Sequence, residues 1–170
     1  MTTNIYCLIK NFFINCVQFN FAQLIMNMDK LHLHDQLCFP LYALSRQMTA
    51  LYRPYLEKLE LTYPQWLVML LLWEHEKLSV KKIGCELWLD SGTLTPLLKR
   101  MEETGLLVRE RCPADERVVN VLLTKEGRLL KKKAIDIPEH IFSDLSISHA
   151  QLESLKKELS GILNNLDKKA

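Results

Sequence analysis

Glycine and proline are scarce, with five Gly and six Pro in 170 residues. That scarcity argues against turn-rich sandwiches and barrels and favours long helices. A dominant charge is also missing. The net charge is only +2, so composition makes no general case for nucleic acid, and any basic surface must be local. No C-x-x-C pair occurs. Cys7, Cys16, Cys38, Cys85 and Cys112 form an odd set, which fits neither a disulfide scaffold nor a zinc ribbon. His32 and His34 have no Cys or acidic cluster to complete a metal site. Phosphate loops, zinc-protease motifs and nucleophile elbows are absent, so neither cofactor nor metal is expected. A reduced, cytoplasmic protein follows from this cysteine usage.

What is present is ordinary globular chemistry, 48% hydrophobic and 25% charged, enough for one domain with or without an extension. The charges are uneven, since Lys10 stands alone among residues 1–28. This leading segment lacks the basic start, apolar run and small-residue cleavage site of a signal peptide. Lys10, Asn11, Asn15, Gln18 and Asn20 interrupt every window long enough to span a membrane. Composition turns normal at Met26 and Met28. Residues 1–28 are therefore expected to be a non-native or disordered extension to a domain over 29–170.

Leu37, Leu41, Leu44, Met48, Leu51 and Tyr55 recur at the spacing of a helix–helix seam, as do Leu152, Leu155, Leu159, Ile162 and Leu166. These seams pair within a protomer or between two, and a homodimer is preferred. Between them, Thr62-x-x-Gln65 is a capping-box signature with Pro64 in the first turn. The unbroken apolar run Trp66 to Trp73 predicts a helix buried all round. Ser79 caps a short helix to Leu87. A turn at Trp88-Leu89-Asp90 follows, and Ser91 caps a helix carrying Leu94, Leu97, Leu98 and Met101 that ends at Gly105. Leu106–Arg111 and Val118–Leu123 then read as a hairpin around a charged loop at 112–117. Thr124 starts a basic helix reaching Pro138. The fold expected is mainly α with a small β-hairpin wing: a winged helix-turn-helix over about 62–124, with dimerisation helices at about 35–59 and 125–168.

Within the helix after Ser91 the apolar face is committed to the core. The other face presents Ser91, Thr93, Thr95, Lys99 and Arg100. Short hydroxyls can reach base edges and cations can meet phosphates, as a recognition helix requires. An ordinary solvated helix is the competing reading, and Glu102 and Glu103 favour it. Arg109, Arg111 and Arg117 in and around the hairpin tilt the balance to DNA, with Arg117 placed in the loop to enter the minor groove. Asp115 and Glu116 suit DNA only if one of them orients an arginine by pairing with it.

Asp115-Glu116-Arg117 in the hairpin, and Leu123-Thr124 followed by Gly127, resemble the MarR family of bacterial winged-helix dimers. Further residues narrow the resemblance: Leu37-Cys38-Phe39 with Tyr42, Tyr52-Arg53-Pro54, Leu61-Thr62-Tyr63-Pro64-Gln65, and Leu89-Asp90-Ser91-Gly92-Thr93-Leu94-Thr95-Pro96-Leu97. Over about residues 33–168 the chain is similar to the organic hydroperoxide resistance regulators. The resemblance implies a homodimeric repressor that binds an inverted-repeat operator in double-stranded DNA while one cysteine is reduced. That cysteine corresponds to Cys38. The tyrosines that hydrogen-bond its thiolate across the dimer correspond to Tyr52 and Tyr63, with Tyr42 nearby. An organic hydroperoxide is the implied oxidant.

The residues support this chemistry independently. Asp35 is a good N-cap, and Pro40 is at home in a first turn. Either start puts the Cys38 thiol at a helix N-terminus, which favours the thiolate that attacks peroxide and becomes a sulfenic acid. Pro40 departs from the family pattern and leaves the start of the helix open. No cysteine follows Cys112, so the sulfenate is expected to be captured by a low-molecular-weight thiol or oxidised further. Two rival functions remain: a MarR-type regulator responding to a small aromatic ligand, and a thiol peroxidase using Cys38.

Overall fold

A computed structural model describes residues 31–167. They fall into two compact units, one reaching Met48 and the other starting at Thr49. The expectation for residues 1–28 lies outside the described residues.

In the first unit a single 3-10 turn, Leu33–Asp35, precedes helix α1, Cys38–Leu56. Asp35 belongs to that turn and does not cap α1, a correction to the sequence reading. Cys38 is nonetheless the first helical residue, and Pro40, third in the helix, sits where no intrahelical N–H is needed. Leu37, Leu41 and Leu44 on the expected seam are exposed.

The second unit holds the rest of α1 and the winged helix. Glu57–Leu59 forms a 3-10 turn, and α2 (Tyr63–His75) follows with Pro64 in its first turn. The Gln65 side-chain carbonyl accepts the Thr62 backbone N–H at 2.8 Å within the expected capping box. Trp66, Val68, Met69, Leu72 and Trp73 of α2 are buried, but Leu70 is exposed, so the helix is not covered all round. A short strand β1 (Lys77–Ser79), not expected from the sequence, leads into α3 (Val80–Leu87), where Ser79 Oγ accepts the Lys82 N–H as anticipated. Helix α4 (Ser91–Glu103) is capped by Asp90, and Ser91 is its first residue rather than its cap. It closes in a Schellman motif: Leu106 N–H donates to Met101 O at 3.0 Å, and Gly105 sits at φ 73°.

Strands β2 (Leu107–Cys112) and β3 (Asp115–Leu123) form the hairpin, and β1 adds to β3 in an antiparallel sheet of order β1-β3-β2. Cys112 pairs with Asp115, so only Pro113 and Ala114 remain at the tip. Arg117 therefore lies in β3, not in a loop. Cys112 is at the tip of the wing. Thr124 caps α5 (Lys125–Ala134) through the Gly127 N–H at 3.0 Å, as expected. The expected run to Pro138 is two helices. The chain breaks at Ile135-Asp136, and α6 (Ile137–Leu145) carries Pro138 in its first turn, where proline is compatible. Helix α7 (His149–Asp167) ends the described chain.

The core of this unit is Leu56, Leu61, Trp66, Val68, Met69, Leu72, Ile83, Leu94, Leu98, Met101, Leu107, Val121 and Leu123. It fixes α4 and the hairpin as one piece. No helix among the described residues is long and apolar enough to cross a membrane.

Candidate DNA-binding face and redox residues

Burial of Leu94, Leu98 and Met101 turns the opposite side of α4 outward, and Ser91, Thr93, Thr95, Lys99 and Arg100 are all exposed there. The Asp90 carboxylate organises the N-terminus of the helix. It accepts the Thr93 N–H at 2.9 Å and the Thr93 hydroxyl at 2.8 Å. Those two bonds, the hydroxyl first, hold the Asp90 carboxyl below its usual range. They also commit the Thr93 proton, so its hydroxyl offers acceptor lone pairs outward. Lys99 lies 3.9 Å from Glu103, a loose surface pair.

The wing is braced to this helix. Glu102 accepts Arg109 Nε at 2.9 Å, Nη2 at 2.7 Å and the Arg109 backbone N–H at 2.8 Å. These contacts, side-chain bonds foremost, push the Glu102 carboxyl below its ordinary value. Arg109 is thus spent on structure rather than presented at the tip. Arg117 is the exposed cation of β3, its side chain 92% accessible, and Asp115 Oδ1 accepts its Nε at 3.1 Å. Asp115 therefore does orient the arginine. A cleft of about 930 Å³ separates the two elements, and Ser91, Thr95, Arg117 and Cys85 share its lining with Trp88. The structure thus gathers Ser91, Thr95 and Arg117 around one concavity. Lys99 and Arg100 lie further along α4.

Sequence reasoning passed over Asp90, Glu102 and Trp88 as contributors. Asp90 was visible as a capping residue before Ser91-Gly92-Thr93, whereas nothing local paired Glu102 with Arg109.

The redox candidates occupy both units. In the first, Cys38 is exposed at the start of α1, and the Arg46 guanidinium stands 5.7 Å over the ring of exposed Tyr42. In the second, Tyr52 and Tyr63 meet edge to face with centroids 5.1 Å apart. Burial raises the pKa of both phenols, and Tyr63 adds to the shift of Tyr52. Both are consequently O–H donors throughout the physiological range.

Known proteins match this arrangement. The family described as transcriptional regulator SarA/Rot matches residues 50–134. The chain is 55% identical over 141 residues to the organic hydroperoxide resistance transcriptional regulator of Bacillus subtilis, covering 83% of this chain and 96% of that protein. It belongs to that family. The structure of AbfR of Staphylococcus epidermidis matches with a TM-score of 0.67 at 34% identity, over 84% of this chain and 99% of that one. Reduced AbfR bound to DNA matches with a TM-score of 0.66 at 34% identity, over 82% and 97% of the two chains. Membership of the organic hydroperoxide resistance regulators gives the winged helix its functional context, and the mainly helical fold with a three-stranded antiparallel sheet agrees with it.

Proposed function

We propose that this chain is a cytoplasmic, homodimeric repressor whose Cys38 is oxidised by an organic hydroperoxide, with release of an inverted-repeat operator. The observation that carries the reading is an exposed thiol on the first residue of a nineteen-residue helix, in a chain that also builds an outward-facing α4 beside an arginine-bearing wing. The B. subtilis relative, named for organic hydroperoxide resistance, and the DNA-bound AbfR support both halves.

DNA is met by residues 62–124. Ser91, Thr93 and Thr95 address base edges in the major groove, Lys99 and Arg100 meet phosphates, and Arg117 enters the minor groove or contacts its rim. Dimerisation falls to residues 35–59 and 125–168, where exposed Leu37, Leu41, Leu44, Ile162, Leu163 and Leu166 await a partner surface.

At Cys38 the thiolate sulfur attacks the outer oxygen of the hydroperoxide. An S–O bond forms, the O–O bond breaks, and the alkoxide takes a proton to leave as alcohol. The sulfur is oxidised to sulfenic acid and the peroxide is reduced. Tyr52 and Tyr63, kept protonated by burial, donate to the thiolate from the partner subunit, with Tyr42 nearby. One oxidation per signal makes this a sensor and not an enzyme.

A gel-shift series on DNA upstream of the chain's own coding sequence tests the reading. The parent should bind and be released by an organic hydroperoxide. Cys38→Ser should bind with the same affinity and stay bound. Normal release of Cys38→Ser would overturn the assignment.

A further inference from the structure

Trp88 is the residue that the fold least explains. It ends α3 in the left-handed region, φ 56° and ψ 37°, where glycine is favoured and a bulky side chain is strained. The placement does not put Trp88 in the core, because the residue is 54% exposed. The other tryptophans, Trp66 and Trp73, are buried. An observed backbone outlier that holds a large apolar group in solvent points to a contact made elsewhere. Its surroundings say where. Trp88 lines the cleft whose walls carry Ser91 and Thr95 of α4 and Arg117 of β3.

A recognition helix in the major groove and a wing in the adjacent minor groove leave one phosphodiester strand running between them. We infer that this strand lies in the cleft and that Trp88 packs its indole against the deoxyribose edge, as an uncharged anchor for the operator. The inference rests on the DNA-binding reading above. It adds a contact that is apolar, and so is independent of counterion release, and that touches sugar, and so is indifferent to sequence. Glycine at this position would relieve the backbone but forfeit the contact.

The experiment uses the full chain and a fluorescently labelled duplex from the DNA upstream of its coding sequence, followed by anisotropy over a salt series. Tryptophan emission is recorded in the same titration. Emission should change as the duplex binds, and the change should vanish in Trp88→Phe, which retains most of the affinity. Trp88→Gly should melt no lower than the parent and bind about tenfold more weakly at every salt concentration, because the apolar area it buries is lost. The slope of log affinity on log salt should stay unchanged. A scrambled duplex should lose a similar factor. Binding by the parent with unaltered emission, or parent-like affinity of Trp88→Gly, would overturn the inference alone. So would dissociation of the Trp88→Gly dimer in sedimentation, which would make the indole a contact between copies. Failure of the parent to bind either duplex would overturn the DNA-binding reading and this inference together.

Discussion

A methyl group placed on Gly127 would collide with the Leu106 carbonyl oxygen and press on the Leu123 side chain. The obstruction is backbone, which cannot rotate away. Thr124 tightens the same junction, donating to Gly105 O at 2.6 Å while accepting the Gly127 N–H. Trp73 Nε1 also donates to Gly127 O at 2.9 Å, so α2, α5 and the wing meet at one glycine. Gly127→Ala is expected to cost about 2 kcal/mol of stability by overpacking, read from denaturant midpoints. The tyrosines carry a different kind of expectation. Their rings pack against each other at a half-buried position, and the proposed role rests on their hydroxyls. Tyr52→Phe and Tyr63→Phe should fold and bind DNA unchanged. Each should slow oxidation of Cys38 roughly tenfold, since a bond donated to a charged acceptor is removed. Unchanged oxidation kinetics by stopped flow would remove both residues from the sensing step.

Between α4 and the wing, Glu102 is the link, and its acid dependence follows from its direction of shift. The Arg109 bonds lower the folded carboxyl, so the folded state binds a proton less readily than the unfolded chain. That contribution is complete above the ordinary carboxylate range, about pH 4.3, and is lost as pH falls through the depressed folded value. Glu102→Gln should therefore melt below the parent at neutral pH, with the gap closing on acidification. A pH-independent gap in melting temperature would show that packing, not charge, sets the brace. Arg117 shows the other use of an element. Its guanidinium pairs with Asp115 and its side chain is 92% exposed. Arg117→Ala should weaken operator binding and reduce the salt slope by about one counterion, measured by anisotropy. The elements themselves were mostly legible, because each has a local signal: Ser79 and Thr124 as caps, Gly105 as the left-handed stop, apolar period in α4. What escaped depends on strand pairing, which leaves no signal at the residue itself. Strand β1 exists because Leu78 pairs with Val121, and Arg117 joins a strand because Cys112 pairs with Asp115. The break at Ile135-Asp136 lacks a glycine, and Pro138 opens the next helix where the sequence reading took it as a stop.

For the whole molecule, the fate of oxidised Cys38 turns on which thiols the dimer can offer it. Residues 113–170 contain no cysteine, so α5, α6 and α7 of neither subunit can supply one. Cys7 and Cys16 lie outside the described residues; among the described residues Cys85 and Cys112 are free, but both belong to the DNA-binding unit, in the cleft wall and at the wing tip. A disulfide to either requires Cα atoms within about 7 Å of each other. A small thiol needs no such approach. It condenses with the sulfenic acid, forming an S–S bond while the S–O bond breaks and water leaves. We therefore expect, from intact-mass analysis after an organic hydroperoxide plus a low-molecular-weight thiol, one adduct per chain, located within residues 26–170 and absent from Cys38→Ser. Without the thiol, further oxygen should accumulate on the same residue. A Cys38–Cys85 or Cys38–Cys112 crosslink on non-reducing gels, abolished by replacing the second cysteine, would overturn this and make the DNA-binding unit itself the resolving partner.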